Sequence, residues 1–432
     1  MTITPDPNVE AAAMLQYGTV PPGSVRTREN RRWWIHLLLN NPNPLQERMA
    51  WFFHDHFATS QATFRELSRY FLHDQIQLFR RSALGNWRDL VVEVSKDKAM
   101  LVWLDGIRST ANGPNENFAR EVWELFTLGV DNGYTQADIV QASRAFTGFE
   151  RITVRDAAGA PLYDDVVYRQ NRHDAAPKTI LGATGSFGYD DNLANDPRDT
   201  DGGVIDLTLR QLPVEASTFI CRKLAAYFLY PDPHDVVVDE LARILRDNNW
   251  ELQPVLEAIL RSKALFSLAA RKSQVKDPVS YVVGFLRTAE IDMLPSRVDN
   301  VLITLEQVPM QPPDVNGWPT GGAWLGSQAM LIRINFLQQA ISQLDDVAGI
   351  QHLLPAPARR TPDGMVDHIA NGVLGVDLTT NARDQAVLYV HTELQGNTIV
   401  DVGFDPNNDP QLLQKTRGLL WQLGQYWDAH QQ

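Results

Sequence analysis

The stretch that most constrains the fold is the segment from Asn115 to Gly148, NENFAREVWELFTLGVDNGYTQADIVQASRAFTG. Asn115 and Thr135 are residue types that begin helices, and Asp138 lies three positions after Thr135, as in a capping box. Between the two starts, Gly129 predicts a helix end and an Asn-Gly pair predicts a turn. Apolar residues recur at helical spacing on both sides of this turn. The segment therefore predicts two helices joined by a tight link.

Two carboxylates, Glu121 and Glu124, lie within one turn of the first helix, beside its apolar face. Charged residues are mostly exposed, so one interpretation is a solvated edge with Arg120 and Arg144 as ion-pair partners. The other interpretation is a pair of metal ligands, or an acid/base pair, that faces a pocket. The spacing alone is compatible with both.

The composition indicates a globular protein rather than a disordered one. Of 432 residues, 44% are hydrophobic and 21% are charged, which is enough apolar material for one large core or two ordinary ones. The net charge of −13, without a long basic run, disfavours nucleic acid and anionic membranes as main partners. The single cysteine, Cys221, lies in an apolar run and is expected to be a small core residue.

The sequence shows no targeting segment. Residues 1–16 lack a basic region followed by an apolar core, so we see no signal peptide. No segment approaches eighteen consecutive apolar residues, which predicts that nothing spans a membrane. On this basis we expect a cytoplasmic protein.

Helical periodicity continues along most of the chain and predicts a mainly α fold, a multi-helical and bundle-like body. The exception is ERITVRDAAGAPLYDDVVYRQ, which alternates and breaks at Gly-Ala-Pro, as a small β-hairpin insertion does. We expect a flexible lead-in at 1–28, a helical core at 29–345 with a hairpin and loop insertion at about 149–205, and a C-terminal helical extension at 346–432 packed on the core. In the extension we expect helices near 361–373, 381–392 and 410–429.

Two histidines, His54 and His56, lie in the apolar helix predicted for LQERMAWFFHDHFA. Residues two apart on a helix are separated by about 200°, so both side chains cannot bind one ion from an unbroken helix. On a strand they could, but the helical period is stronger here. We expect one histidine to serve a site and the other to hold the helix in place.

A second group of polar residues, His173, Asp174 and Lys178, precedes the Gly-rich stretch ILGATGSFGYDD. Loop polar residues are often functional, which makes these three candidate site residues. An acidic run follows, and it raises the alternatives of a solvated loop or, less favoured, a calcium site at 190–202. The run lacks the EF-hand spacing and its closing glutamate. Its members are Asp190, Asp191, Asp196, Asp199 and Asp201.

Six motifs, in order, resemble the bacterial DUF1800 family over roughly residues 30–340: RMAWFFHDHFATS, LGNWRDLVVEVSKDKAMLVWLDG, NENFAREVWELFTLGV, YTQADIVQASRAFTGF, HDAAPKTILGATGSF and PPDVNGWPTGGAWL. The family has no established biochemical activity. The resemblance implies that members are often exported, and it implies a DUF1501-like, sulfatase-like protein partner, because genes of the two families are often neighbours.

The resemblance also assigns polar positions to motifs, and it shows departures. The family's HNHF motif stands here with Asp55 in place of Asn, and Trp123 stands where the family more usually has Met. Relative to the family, we expect the N-terminal leader region to be shortened or absent and the acidic 190–202 loop to be longer than usual. The matched motif positions are His54, His56, Phe57, Asn115, Glu116, Asn117, Arg120, Glu121, Glu124, His173, Asp174 and Lys178.

The leading functional hypothesis is a metal-dependent enzyme, hydrolytic or oxidative, with a His/Glu/Asp site between core helices. A mixed nitrogen and oxygen ligand set suits a divalent ion such as Zn, Fe or Mn. An arginine or lysine would then face an anionic substrate or intermediate. The candidate metal ligands are His54, His56, Glu121, His173 and Asp174, and the candidate catalytic residues are Glu124, Arg120 and Lys178.

Two alternatives stay open. The chain is a non-catalytic binding or scaffold protein that acts with a partner, its aromatic residues supplying contact surface, or it is a metal-free acid/base enzyme that uses Glu121 or Glu124 with His56. A metal enzyme requires at least three ligands that converge on one point. A scaffold instead requires an exposed apolar patch.

Overall fold

The computed structural model describes residues 27–190, 196–345, 350, 353–354, 358–395 and 398–432. The predicted lead-in at 1–28, except its last two residues, and Asp191 of the acidic run lie outside the described residues. The structure is 57% helical, and its only sheets in the described ranges are three two-stranded antiparallel ones. The predicted mainly α fold is therefore confirmed. None of the described helices is both long enough and apolar enough to cross a membrane.

The described chain divides into two compact units. The first contains residues 27–37, 41–270 and 309–318, and the second contains residues 38–40, 271–308 and the described part of 319–432. Residues 271–308, which the sequence analysis assigned to the core, thus group with the C-terminal helices.

The first unit holds the predicted central segment and the hairpin. Its helices are α1 (Thr27–Asn40, which continues into the second unit), α2 (Pro44–His56), α3 (Tyr70–Arg81), α4 (Trp87–Lys96), α5 (Lys98–Trp103), α6 (Glu116–Glu121), α7 (Gln136–Ala145), α8 (Val204–Gln211), α9 (Pro213–Phe228), α10 (Asp235–Asp247) and α11 (Leu252–Arg261). Its strands are β1 (Phe149–Arg155), β2 (Pro161–Tyr168), β3 (Lys178–Ile180) and β4 (Ala183–Gly185).

The second unit is also helical, and proline in the first turn starts four of its helices, where the missing N–H is no loss. The residue bounds of its C-terminal helices are close to the predicted ranges, but the short hairpin between two of these helices was not predicted. The elements are α12 (Pro278–Thr288), α13 (Pro295–Thr304), α14 (Ser327–Ile341), α15 (Pro362–Asp367), α16 (Thr380–His391), β5 (Thr392–Gln395), β6 (Thr398–Asp401) and α17 (Asp409–Leu423).

Helix α2 is buried almost all round, as its apolar sequence predicted. Phe53 and Phe57 are fully buried and pack on the rings of Phe79 in α3 and Trp87 in α4. Each such side chain contributes about 1.5–3 kcal/mol when it is fully removed from water. This aromatic core fixes the position of both histidines of the helix.

The central segment forms as predicted at its two helix starts. The Asn115 side chain accepts hydrogen bonds from the first free amides of α6, and Thr135 forms a capping box with Asp138 at α7. The first helix departs from the prediction at its end, because Val122–Thr127 is a π-helix. The hydrogen bonds of a π-turn join residues five apart rather than four, which widens the helix and redirects backbone carbonyls. Such turns often occur at functional sites.

The predicted hairpin is also confirmed: β1 pairs with β2 in antiparallel register from Phe149–Tyr168 onward. It is anchored to the helices through Asp164, which is buried on β2. Its carboxylate accepts hydrogen bonds from Arg65, Ser68 and Thr153. This anchoring fixes the end of β2 at Tyr168, five residues before His173.

Asp97 caps α5 and is expected to lower stability at neutral pH. Its carboxylate accepts hydrogen bonds from the Met100 amide at 2.9 Å and from Gln75 at 2.7 Å. Burial nevertheless raises the pKa of Asp97 from 3.8 to about 7, and the charge of Asp74 adds to this rise. Because the pKa of Asp97 is higher in the folded protein than in the unfolded chain, protonation of Asp97 favours folding. This contribution to stability is complete below pH ~4 and is lost as the pH rises through 7.

Replacing Asp97 by asparagine is therefore expected to stabilise the protein by about 1–3 kcal/mol at pH 8, since the amide oxygen still accepts both hydrogen bonds. The gain should shrink toward pH 4.5. Urea unfolding at both pH values measures it, with the exposed Asp384→Asn as the control. A gain that does not depend on pH, or no gain at pH 8, contradicts the prediction.

Candidate functional site

His173 is held in one orientation by the residues around it. It follows a single 3₁₀ turn at Gln170–Arg172, and its side chain is buried. Nδ1 lies 3.0 Å from the carbonyl oxygen of Thr147 at the end of α7. A carbonyl only accepts, and the Thr147 hydroxyl, also 3.0 Å from Nδ1, donates its proton to the Arg144 carbonyl, so Nδ1 carries the ring proton and donates it. The lone pair of the neutral imidazole is therefore on Nε2.

Nε2 of His173 faces a carboxylate rather than a donor. It lies 3.0 Å from Oδ1 of Asp199, which is also buried. Two lone pairs at this distance repel each other unless a positive charge lies between or on them. That charge is either a second proton on the imidazole or a cation bound by both atoms. Two ligands each about 2.1 Å from one ion, at a right angle, are roughly 3.0 Å apart.

Asp196 completes the group and is fixed by a partner of its own. The guanidinium of Arg198 donates to both carboxylate oxygens of Asp196, with Nε 2.7 Å from Oδ1. These hydrogen bonds hold the pKa of Asp196 below its ordinary value, so the side chain is a carboxylate at neutral pH. The hydroxyl of Tyr168 lies 3.4 Å from Oδ2. The side chain of Asp196 is therefore charged and held in one orientation within the group.

One ligand atom from each of His173, Asp196 and Asp199 lies within 4.8 Å of the other two. Across the described ranges, this is the only group of three or more histidine, cysteine or acidic side chains with such convergence. One nitrogen and two carboxylates form a set that suits Zn, Mn or Fe, with further positions left for water or substrate. A metal-binding histidine usually donates its other ring N–H to a protein acceptor, as Nδ1 of His173 does here.

Comparison with known proteins identifies the family. The family model described as "Protein of unknown function (DUF1800)" matches residues 9–401. The chain belongs to the DUF1800 family. No curated protein and no solved structure matches it. The resemblance found in the sequence is thus confirmed, and it extends over nearly the whole chain.

The predicted ligands of this DUF1800 protein do not converge, and of the five only His173 belongs to the group of three. Nε2 of His54 accepts a hydrogen bond from the Met310 amide at 3.0 Å, inside the aromatic core. Nε2 of His56 donates to the Phe126 carbonyl at 3.0 Å, and its Nδ1 accepts from Lys223 at 3.1 Å. In this arrangement His56 offers no free lone pair to a metal ion, because both ring nitrogens are engaged.

Glu121, Glu124 and Arg120 form a partly exposed edge of the central helix, not part of the His173 group. Arg120 lies 3.4 Å from Glu124 and donates to Gln136. Burial, followed by the charge of Glu124, raises the pKa of Glu121, while Arg120 opposes the rise. Glu124 thus has the Arg120 partner of the first interpretation given above, whereas Arg144, the other expected partner, pairs with Asp174.

Asp174 and Lys178 lie beside the group without being ligands of it. Both oxygens of Asp174 accept from the guanidinium of Arg144, so Asp174 ties the loop to α7. Lys178 is buried, and its Nζ donates to the Ala176 carbonyl at 3.1 Å. Burial lowers the pKa of Lys178 to about 8, although nearby carboxylates, including Asp199, act to raise it. Of the three predicted catalytic residues, Lys178 is the one near the candidate metal ligands.

The described members of the acidic run have separate partners. Asp190 pairs with Lys96, and Asp201 accepts from the Ser186 amide at 2.8 Å. The sequence analysis named Asp196 and Asp199 in this run but did not join them to His173, more than twenty residues earlier. A signal was available, since a histidine before a Gly-rich loop and an acidic run after it can meet when the loop folds back.

Proposed function

We propose that this protein is a metal-dependent enzyme in which His173, Asp196 and Asp199 bind one divalent ion. The observation that carries the proposal is the approach of Nε2 of His173 to the Asp199 carboxylate at 3.0 Å, while Nδ1 faces the Thr147 carbonyl. A bound cation removes the repulsion between these atoms. Zn, Mn and Fe are the candidates, because the donor set is one imidazole and two carboxylates.

We further propose that the reaction is a hydrolysis. A divalent ion at such a site supplies a water of lowered pKa and polarises a carbonyl or phosphoryl oxygen. Lys178 supplies a buried positive charge near the candidate ligands, where it would stabilise an anionic intermediate. Arg198 keeps Asp196 charged, so the chain itself maintains the ligand set at neutral pH.

The first expected result is stoichiometric metal. Purified protein, stripped and then reconstituted separately with Zn²⁺, Mn²⁺ or Fe²⁺, should retain about one ion per chain by elemental analysis. Asp199→Asn should weaken binding by about tenfold or more in a calorimetric titration, because the neutral amide oxygen is a poorer ligand. The same change at Asp201, which accepts from Ser186 in the same loop, should leave the affinity unchanged.

Thermal unfolding of each variant verifies that the comparison is between folded proteins. Wild-type protein that binds none of the three ions would overturn the proposal, and it would identify His173 and Asp199 as a protonated ion pair. Equal affinities of the Asp199 and Asp201 variants would show that the ion binds elsewhere. If metal binds as expected, hydrolysis of activated carboxyl and phosphate esters is compared between wild type and Lys178→Met. Unchanged rates would exclude the role assigned to Lys178.

A further inference from the structure

Lys223 and His56 form a second polar group in the first unit, separate in its contacts from the proposed metal site. Lys223 lies on α9, and its Nζ is 3.1 Å from Nδ1 of His56 at the end of α2. Nε2 of His56 is 3.0 Å from the carbonyl of Phe126 and so carries the ring proton. Nδ1 is therefore an acceptor, and Lys223 donates to it.

The π-turn at Val122–Thr127 supplies the remaining partner. The carbonyl of Leu125 lies 3.4 Å from Nζ of Lys223, and the next carbonyl, of Phe126, receives the His56 proton. A neutral amine has two N–H groups, and both then have acceptors, which leaves its lone pair unengaged. The third N–H of an ammonium has no acceptor among the described residues, so its remaining partner is water.

The surroundings raise the share of neutral amine above that of an ordinary exposed lysine. The ring of Phe219 lies 4.8 Å from Nζ of Lys223, a contact that suits the ammonium, but Lys223 forms no ion pair with a carboxylate in the part of the chain described. Burial lowers the pKa of Lys223 to about 8, against the opposing charge of Asp55. The residue is nevertheless partly exposed. Rings that border His56 are those of Phe52, Phe57, Trp87 and Phe126.

We propose that Lys223 is the nucleophilic amine of a carbonyl-binding site, where it condenses with the aldehyde or ketone group of a small apolar or aromatic compound while His56 holds the amine in place. Lysines that act in this way are desolvated and lack a tight carboxylate partner. The site rests on none of the residues assigned to the metal ion.

The proposed reaction is a reversible condensation without oxidation or reduction. The nitrogen lone pair attacks the carbonyl carbon, and a proton passes from nitrogen to the carbonyl oxygen to give a carbinolamine. Loss of one water then gives the imine between Nζ and the carbonyl carbon. The ring of Phe219 covers one side of the amine, which limits the approach of water to the imine from that side.

The test is trapping with benzaldehyde at pH 7.5, with sodium cyanoborohydride as the reductant and peptide mass spectrometry as the readout. Each trapped lysine gains a benzyl group. Lys223 should be modified at least about tenfold faster than Lys96 in the same sample. Lys96 pairs with Asp190 and Glu93. Burial acts to lower the pKa of Lys96, but these two carboxylates outweigh it and raise the pKa. Equal rates at the two lysines would overturn the proposal.

Two variants at Phe219 separate charge from packing. Phe219 precedes Lys223 by four residues on α9, so Phe219→Glu creates an ion pair of the favourable helical spacing. This variant should slow trapping of Lys223 by about tenfold or more. Phe219→Gln has the same size without the charge and should retain most of the reactivity. Equal slowing in both variants would contradict the proposed role of the free lone pair; if neither variant folds, the wild-type ratio of Lys223 to Lys96 decides.

Discussion

Replacing Arg80 by methionine is expected to destabilise the protein by about 3–5 kcal/mol, the usual effect of leaving one member of a buried ion pair without its partner. Arg80 on α3 donates from Nε to Glu47 on α2 at 2.9 Å, and both side chains are almost completely buried, 2% and 3% exposed. Glu47 also accepts from Trp34 and Asn41. Among the described residues, the variant leaves the Glu47 carboxylate in the core with only the neutral donors of Trp34 and Asn41.

Urea unfolding followed by circular dichroism measures this loss. The control is Arg243→Met on α10, where the guanidinium is 54% exposed and pairs with Glu240 and Asp247 on the same helix. That change should have a much smaller effect, because water replaces the lost partner. Adding Glu47→Gln to Arg80→Met should recover part of the stability, since the unpaired charge is then removed. A loss at Arg80 no larger than the control loss would disprove the buried-pair account.

The elements that could be predicted from the sequence are those fixed by neighbouring residues. Asn115 and Thr135 cap their helices with their own side chains, so the starts of α6 and α7 need no tertiary information. The alternation of β1 and β2 likewise specified the hairpin. These features depend on contacts over a few residues, which the sequence displays directly.

What the sequence did not reveal depends on contacts between distant residues. His173 and Asp199 are 26 residues apart, and Lys223 and His56 are 167 apart, so no spacing rule joins them. The π-turn at Val122–Thr127 has the composition of an ordinary helix, and it is recognised only from its hydrogen bonds. Helical spacing made Glu121 and Glu124 candidate site residues, and in the structure Glu124 pairs with Arg120 while neither glutamate belongs to the His173 group.

Replacing Gly188 by alanine is expected to reduce metal affinity by about 100-fold or more, a larger effect than Asp199→Asn. A Cβ on Gly188 would overlap Oδ2 of Asp199 and lie 2.7 Å from its Cγ. The backbone of Gly188 cannot move aside, because it bonds to Gly202 and Val204 on both sides. The carboxylate must therefore leave its place opposite His173, whereas an asparagine at 199 stays there as a weaker ligand.

Calorimetric titration with the ion that the wild type retains measures the loss, and Gly113→Ala is the control, since a Cβ there meets nothing closer than Thr110 at 3.9 Å. If Gly188→Ala also lowers the melting temperature, adding Asp199→Ala should restore it by removing the clashing carboxylate, while metal binding stays lost. This outcome would assign both effects to one contact. Wild-type affinity in Gly188→Ala would mean that Asp199 does not bind the ion from this position, because the methyl group and a coordinating carboxylate cannot occupy the same space.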